Sequence, residues 1–310
     1  MSFEIIMYLP ISILAFILNG IAVTVDKFLL TKVIPDPLFY VFYFSLISFL
    51  AIFAIPFTHI PTFEVFLLSS VSTVLWTLAA YCMFKALKIG LVQRVIPVIG
   101  SLNPLILFTI GISFGTILVN EAWAIIVLIL GLIFLTLSDW RGKISKSELL
   151  LEILASSLFA FSYLLLKQAY LQADFISAGK NSFITVLVWS RFILIPVAVV
   201  FLLVPTLRSK VVPNQSQGVS MLKRGGLLFI FGQISAGISQ FLIFFAVSLG
   251  NPALINSLQG TQYVFLFILS LILAKKYPQI FGEKYNKIAL SSKILGILLI
   301  GLGLYLLAAI

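Results

Sequence analysis

Apolar residues in this chain run on in long blocks separated by short polar breaks. Ten such blocks cover residues 5–26, 37–57, 64–87, 92–118, 121–138, 147–170, 181–204, 224–249, 252–274 and 290–310. A helix crosses the hydrocarbon core of a bilayer in about 20 residues, and each block is close to that length. The blocks are continuously apolar and do not alternate with period two, which excludes the pattern of a membrane β-barrel. The expected fold is therefore an all-α integral membrane protein with ten transmembrane helices. The connections are too short to hold a separate soluble enzyme or binding domain.

Composition sharpens this reading. Of the 310 residues, 61% are hydrophobic and 10% charged, whereas a soluble domain is about a quarter charged. The lone Cys82 cannot form an intramolecular disulfide. The start, Met1-Ser2-Phe3-Glu4, lacks the basic stretch of a signal peptide, so the first block is read as a retained helix. A net charge of +10 could point to nucleic acid, but the position of the charges argues otherwise. Seventeen of the 20 Lys and Arg residues lie in or beside alternate connections, as with Lys85, Lys88 and Arg94 or Arg141, Lys143 and Lys146. By the positive-inside rule these connections face the cytoplasm, placing both termini on the non-cytoplasmic side of a cell membrane and leaving no role for nucleic acid.

The second half of the chain echoes the first. Tyr81–Gly90 (YCMFKALKIG) aligns with Phe241–Gly250 (FLIFFAVSLG) at an offset of 160, which also matches Gly100 with Gly260. Lys27 pairs with Lys167, and Gly131-Leu132 with Gly301-Leu302. Insertions in the loops of a duplicated chain produce such a drifting offset. Five helices per half force the halves into opposite orientations, so equivalent connections should differ in basicity. They do: Lys85–Arg94 is basic, while Leu249–Ala253 carries no charge. The expected architecture is two inverted five-helix repeats, residues 1–140 and 141–310.

With these features the chain resembles the ten-helix EamA-type branch of the drug/metabolite transporter superfamily. The resemblance rests on Phe84-Lys-Ala-Leu-Lys-Ile-Gly90, on Asn103-Pro104 inside the fourth block, and on Glu121, echoed by Gly282-Glu283. Blocks ending at Lys27 and Lys167, and Trp189-Ser-Arg191-Phe in the seventh, also fit. It implies an export or exchange carrier for small metabolites, with a central cavity lined mainly by helices 1, 3, 4, 6, 8 and 9.

Arg191 carries the most chemistry. It lies roughly 12 Å into the seventh block at 1.5 Å per residue, where a cation costs on the order of 3 kcal/mol unless it meets a cavity or a partner. It can anchor a substrate carboxylate or phosphate, or be held by a structural acid, for which Glu152 is the nearest candidate. Asn256, Gln259, Gly260 and Tyr263 share one face of the ninth helix. With Trp76, Tyr81, Asn103 and Gln240 they make a mixed polar and aromatic cavity wall, to which Asn19 adds an amide in helix 1. Lys27, Lys167 and Glu152 are candidate charge or gating residues, Lys27 also fitting an interfacial lysine. Asp26 reads as a neutralising neighbour of Lys27, leaving no mid-membrane acid in helix 1 and disfavouring a carboxylate-centred binder of lipophilic cations.

His59 is the only histidine, no Cys/His spacing resembles a zinc site, and no phosphate-cradling Gly-Lys-Ser/Thr loop is present. The chain reads as no enzyme, with no metal, cofactor or catalytic residues. The expected function is secondary transport of small organic solutes by alternating access. The substrate is neutral, zwitterionic or anionic, and a coupling proton or a counter-substrate is the further partner. Two alternatives stand beside it, a lipid-linked-sugar flippase and a non-transporting receptor or scaffold.

Overall fold

The computed structural model describes residues 3–33, 36–90, 92–136, 145–177, 182–212, 225–273 and 287–308, which are helical apart from short turns and contain no strand. Several charges used above lie outside these residues: Arg141, Lys143, Lys180, Lys223, Arg224, Lys275, Lys276, Glu283 and Lys284. Among the described residues, nine helical segments are, by length and composition, able to cross a bilayer; the apolar Glu121–Leu135 stretch is shorter. Large apolar side chains such as Phe53, Trp123, Leu227 and Tyr305 face outward. Such a surface is stable in lipid and not in water, and the chain is a multi-pass membrane protein.

The helices are α1 (Phe3–Lys32), α2 (Leu38–Ile47), α3 (Phe63–Ile89), α4 (Val92–Ser113), α5 (Val119–Thr136) and α6 (Lys146–Ser177). They continue with α7 (Ser182–Arg191), α8 (Leu194–Leu203), α9 (Pro205–Val211), α10 (Leu227–Leu249), α11 (Pro252–Ser257), α12 (Gly260–Leu273) and α13 (Lys287–Ala308). Two boundaries correct the sequence expectation in a way that matters for the site. The first helix runs on through Lys32 and the sixth through Ser177, so Asp26, Lys27 and Lys167 lie inside helices and not at their ends.

Three spans expected to be continuous are interrupted. The seventh breaks after Arg191, and Pro196 explains why: it offers no N–H to the Phe192 carbonyl four residues earlier and clashes with it. The chain answers with tighter bonds, Phe192 N to Trp189 O at 3.2 Å and Ile195 N to Phe192 O at 3.1 Å. The second span passes from α2 into a 3₁₀ segment, Ser48–Phe57, that contains Pro56. The ninth breaks between α11 and α12, where Gln259 N bonds Asn256 O at 3.1 Å and Gln262 N bonds Gln259 O at 3.0 Å. There Asn256 Nδ2 bonds Pro252 O at 2.9 Å and the hydroxyls of Ser257 and Thr261 bond backbone carbonyls three residues back. Such bonds compete with the helical ladder.

Packing follows small and hydroxylated residues, as it does where lipid offers apolar helices no reason to associate. α3 lies along α6, where Ser72 Oγ donates to Ser162 O at 2.8 Å and Ser162 Oγ to Ser72 O at 2.9 Å. α1 lies along α10, with Ser239 Oγ on Ala15 O at 2.8 Å. α5 lies along α13, where a Cβ added to Gly131 would come 2.9 Å from the Ile300 backbone nitrogen. The α4 helix packs on α6 and α11, and α7 on α3, α6 and the 3₁₀ segment.

Candidate functional site: a central cavity with two unpaired charges

A cavity of about 380 Å³ lies between α1, α2 and its 3₁₀ extension, α3, α7 and α10. Aromatic and apolar side chains form most of its wall, among them Tyr40, Phe44, Trp76, Ala80, Phe84 and Phe244. A second cavity of about 90 Å³ adjoins it, the two sharing Asp26, Trp76, Phe84, Ala236 and Gln240.

Arg191 enters the larger cavity from the break after α7, its guanidinium 5.1 Å from the centre of the Phe244 ring and 5.7 Å from that of Phe44. Cations are attracted to aromatic faces at such distances. Among the described residues Arg191 makes no hydrogen bond or ion pair. Glu152, the acid the sequence offered it, lines neither cavity: it is wholly buried in α6, and Ser156 Oγ bonds its carbonyl.

Asp26 lines both cavities and is only 4% exposed, and its Oδ1 has no hydrogen-bond partner. This overturns its reading as a neighbour that neutralises Lys27, and with it the statement that helix 1 offers the site no acid. Successive helical residues point about 100° apart, so Asp26 and Lys27 leave α1 on different faces. Asp26 instead continues the stripe of Asn19 and Val23, which face the smaller cavity. That i, i+4, i+7 spacing is the signal that could have found it.

Lys27 turns to α3, donating to Leu87 O at 2.6 Å and Gly90 O at 2.7 Å. Glu148 is an electrostatic partner of Lys27, and its Oε1 fills the space where a Cβ of Gly90 would stand. Lys167 does the same for α10, donating to Ser248 O at 3.0 Å. Both lysines complement carbonyls that a helix end leaves unsatisfied, and neither lines either of these two cavities. We expect Lys27→Met to destabilise the protein by about 3–6 kcal/mol, the loss of two hydrogen bonds from a charged donor at about 1.5–3 kcal/mol each. Melting of the purified variant measures this, and uptake per folded molecule should stay unchanged.

The remaining sequence candidates separate into three groups. Trp76 and Gln240 line both cavities, and Gln240 Oε1 is buried without a partner. Asn19, Asn103, Asn256 and Gln259 line the smaller one as a connected amide set: Asn103 Nδ2 bonds Asn256 Oδ1 at 3.0 Å, and Asn19 Nδ2 bonds Gln262 Oε1 at 3.2 Å. Tyr81 and Tyr263 line neither. Tyr81 packs on the cluster formed by α2, α8 and α9 beneath Lys85, because its face of α3 points that way. Tyr263 is buried across Gly100, with its hydroxyl on Ile96 O at 2.9 Å. Besides Asp26, sequence reasoning missed Tyr40, Phe44, Phe84, Gln233, Phe244 and Gln262, whose types are ordinary in apolar helices. Among the described residues no group of three His, Cys, Asp or Glu side chains comes together as a metal site requires.

No protein-family model matches this sequence, and neither does any curated protein. Solved structures do share its fold. One, described only as "Crystal structure of protein", covers 95% of this chain and 98% of its own at 14% identity with a TM-score of 0.58. At that identity the likeness speaks for the fold alone.

Proposed function

We propose that the chain is a secondary transporter that carries small organic solutes across the cytoplasmic membrane by alternating access. The observation that carries this reading is the central cavity, where Arg191 and Asp26 stand between aromatic walls without an ion-pair partner among the described residues. A scaffold has no use for such a cavity, and buried charges in a membrane are costly enough that function is their default reading. Interrupted spans beside the cavity support it, since transporters build sites from broken helices.

An EamA-type inverted repeat of ten helices, residues 1–140 and 141–310, belongs to the same proposal. α3 packs along α6 and α1 along α10, the exchange that duplicated halves would make. The proline breaks Pro56 and Pro196 stand at the same offset as Lys27 and Lys167, 140 residues. By the positive-inside rule, the basic connections support a topology with both termini on the non-cytoplasmic side.

Proteoliposomes test the function: preloaded with a solute mixture, they should show saturable counterflow of labelled solute. Ala236→Trp, which fills the junction of the two cavities, should reduce it at least tenfold without loss of the folded, monodisperse protein. Absence of counterflow for every solute in a screen of amino acids, sugar phosphates and nucleosides would remove the proposal.

A carrier of amphiphiles, the flippase alternative, has one observation in its favour. Ile47 and Leu50 on one side and Phe241 on the other line the cavity yet are 43%, 63% and 48% exposed, so its wall is continuous with the lipid-facing surface. Lipid-linked but not free headgroups would then move.

A further inference from the structure

The large cavity opens sideways. Among the described residues, α2 and its 3₁₀ extension pack closely on α3, α7, α8 and α9 but not on α10, although α10 forms the facing wall of the cavity. The two walls are clasped at one end, where the Phe229 ring lies 5.6 Å from that of Phe39 and 5.8 Å from that of Tyr43. Farther along, they carry Ile47, Leu50 and Ala51 on one side and Ala236, Gly237 and Phe241 on the other. Ile47, Leu50, Gly237 and Phe241 are exposed, and a Cβ added to Gly237 would meet nothing within 4 Å. The result is a fissure whose apolar lips belong to the lipid-facing surface.

Arg191 stands at the inner edge of this fissure, its guanidinium by the rings of Phe44 and Phe244. Phe44 precedes Ile47 by three residues and Phe244 follows Phe241 by three. Such pairs are neighbours on one helix face, so the cation lies about a turn inside the exposed residues of both walls. Arginine keeps its charge inside proteins, whereas the Asp26 carboxyl of the same cavity can neutralise by taking up a proton. Selection by charge therefore rests on Arg191, and it favours an anion. Between Arg191 and the lipid the lining is apolar apart from Ser48, whose hydroxyl is already bonded to the Phe44 carbonyl at 2.9 Å. That stretch suits a hydrocarbon chain.

Resting on the transporter reading of the same cavity, we propose that its preferred solute is a single-chain alkyl anion taken from the bilayer through this fissure. The anionic headgroup meets Arg191, and the chain lies along the fissure with its end in lipid. The cavity volume of about 380 Å³ is near the small end of the range for ligand sites, about 300–1,000 Å³, which suits one chain and not two. Anions without a tail, sugar phosphates among them, reach Arg191 but leave the fissure empty, and bind more weakly.

Octanoate is the probe, titrated calorimetrically into full-length protein in phosphatidylcholine nanodiscs, with the heat of protein-free nanodiscs subtracted. Each methylene withdrawn from water strengthens binding about fourfold, so octanoate should bind roughly tenfold or more tighter than acetate. It should exceed octylammonium, which has the same chain and the opposite charge, by a similar factor. Arg191→Gln should erase the preference over octylammonium. Gly237→Trp, which fills the fissure from a position with open space around it, should bring octanoate down to the level of acetate. Acetate or octylammonium binding as tightly as octanoate, or no octanoate binding, overturns the inference on the wild-type protein alone, whether or not the variants fold. Unchanged octanoate binding in folded Gly237→Trp does the same. So does a two-chain phospholipid that purifies with the wild type but not with Arg191→Gln and that octanoate does not displace. The ranking is independent of flux: the expected ranking without counterflow of any solute removes the transport reading alone. Counterflow of sugar phosphates, with octanoate bound no tighter than acetate, removes this inference alone.

Discussion

Arg191→Ala is expected to reduce uptake by roughly ten- to a hundredfold, with the folded protein retained. The magnitude follows from the loss of hydrogen bonds from a charged donor, about 1.5–3 kcal/mol, at 1.4 kcal/mol per factor of ten. The fold is expected to survive because Arg191 makes no hydrogen bond or ion pair with the described residues. Its guanidinium lies by the rings of Phe44 and Phe244, with Tyr170 as an electrostatic neighbour. Arg191→Lys should restore little, since an ammonium reproduces neither a planar two-pronged grip on an anion nor stacking between two rings. Uptake measured in proteoliposomes at matched protein density decides the matter. Wild-type rates in the alanine variant would demote Arg191 to a structural residue.

The second large effect is on stability. A Cβ at Gly296 would stand 2.5 Å from the backbone nitrogen of Leu135 and 2.8 Å from the Gly131 carbonyl oxygen. Both are backbone atoms of α5, which no rotamer change can move aside. Gly296→Leu must therefore push α13 away from α5, at a cost of about 3 kcal/mol or more, the upper end for overpacking. Gly301→Leu, on the same helix, is the control: nothing lies within 4 Å of its added Cβ. The thermal melt of the first variant should fall by several degrees, or the protein should fail to accumulate, while the second behaves as wild type. Equal melts for the two would show that the α5–α13 contact is not what holds this side of the bundle.

The sequence by itself determined the class of the molecule. Long unbroken apolar runs can be stable only as helices in lipid, where each backbone group must find its partner within its own segment. That argument needs no tertiary information, and it placed most of the helical segments to within a few residues, although the first and sixth helices run on six and seven residues past the expected ends. Arg191 was legible for the same reason, since a cation deep in an apolar run has few explanations. The amides Asn19, Asn103, Asn256 and Gln259 were legible as a group, because polar residues inside membrane helices must face one another or a cavity.

Only the tertiary structure decided which way each side chain points. Asp26 and Lys27 are neighbours in sequence and look like a pair, yet α1 runs on past both, and its geometry sends one to the cavity and the other to the end of α3. Tyr81 and Tyr263 share a residue type with Tyr40, but their helix faces carry them into packing contacts, while Tyr40 reaches the cavity. Where the first helix ends, which turn of α7 Pro196 breaks, and which aromatic rings meet are set by contacts between segments far apart in the chain. Hydrophobic periodicity is a property of one helix at a time. The cavity belongs to five segments at once, and that is why it could not be read from any one of them.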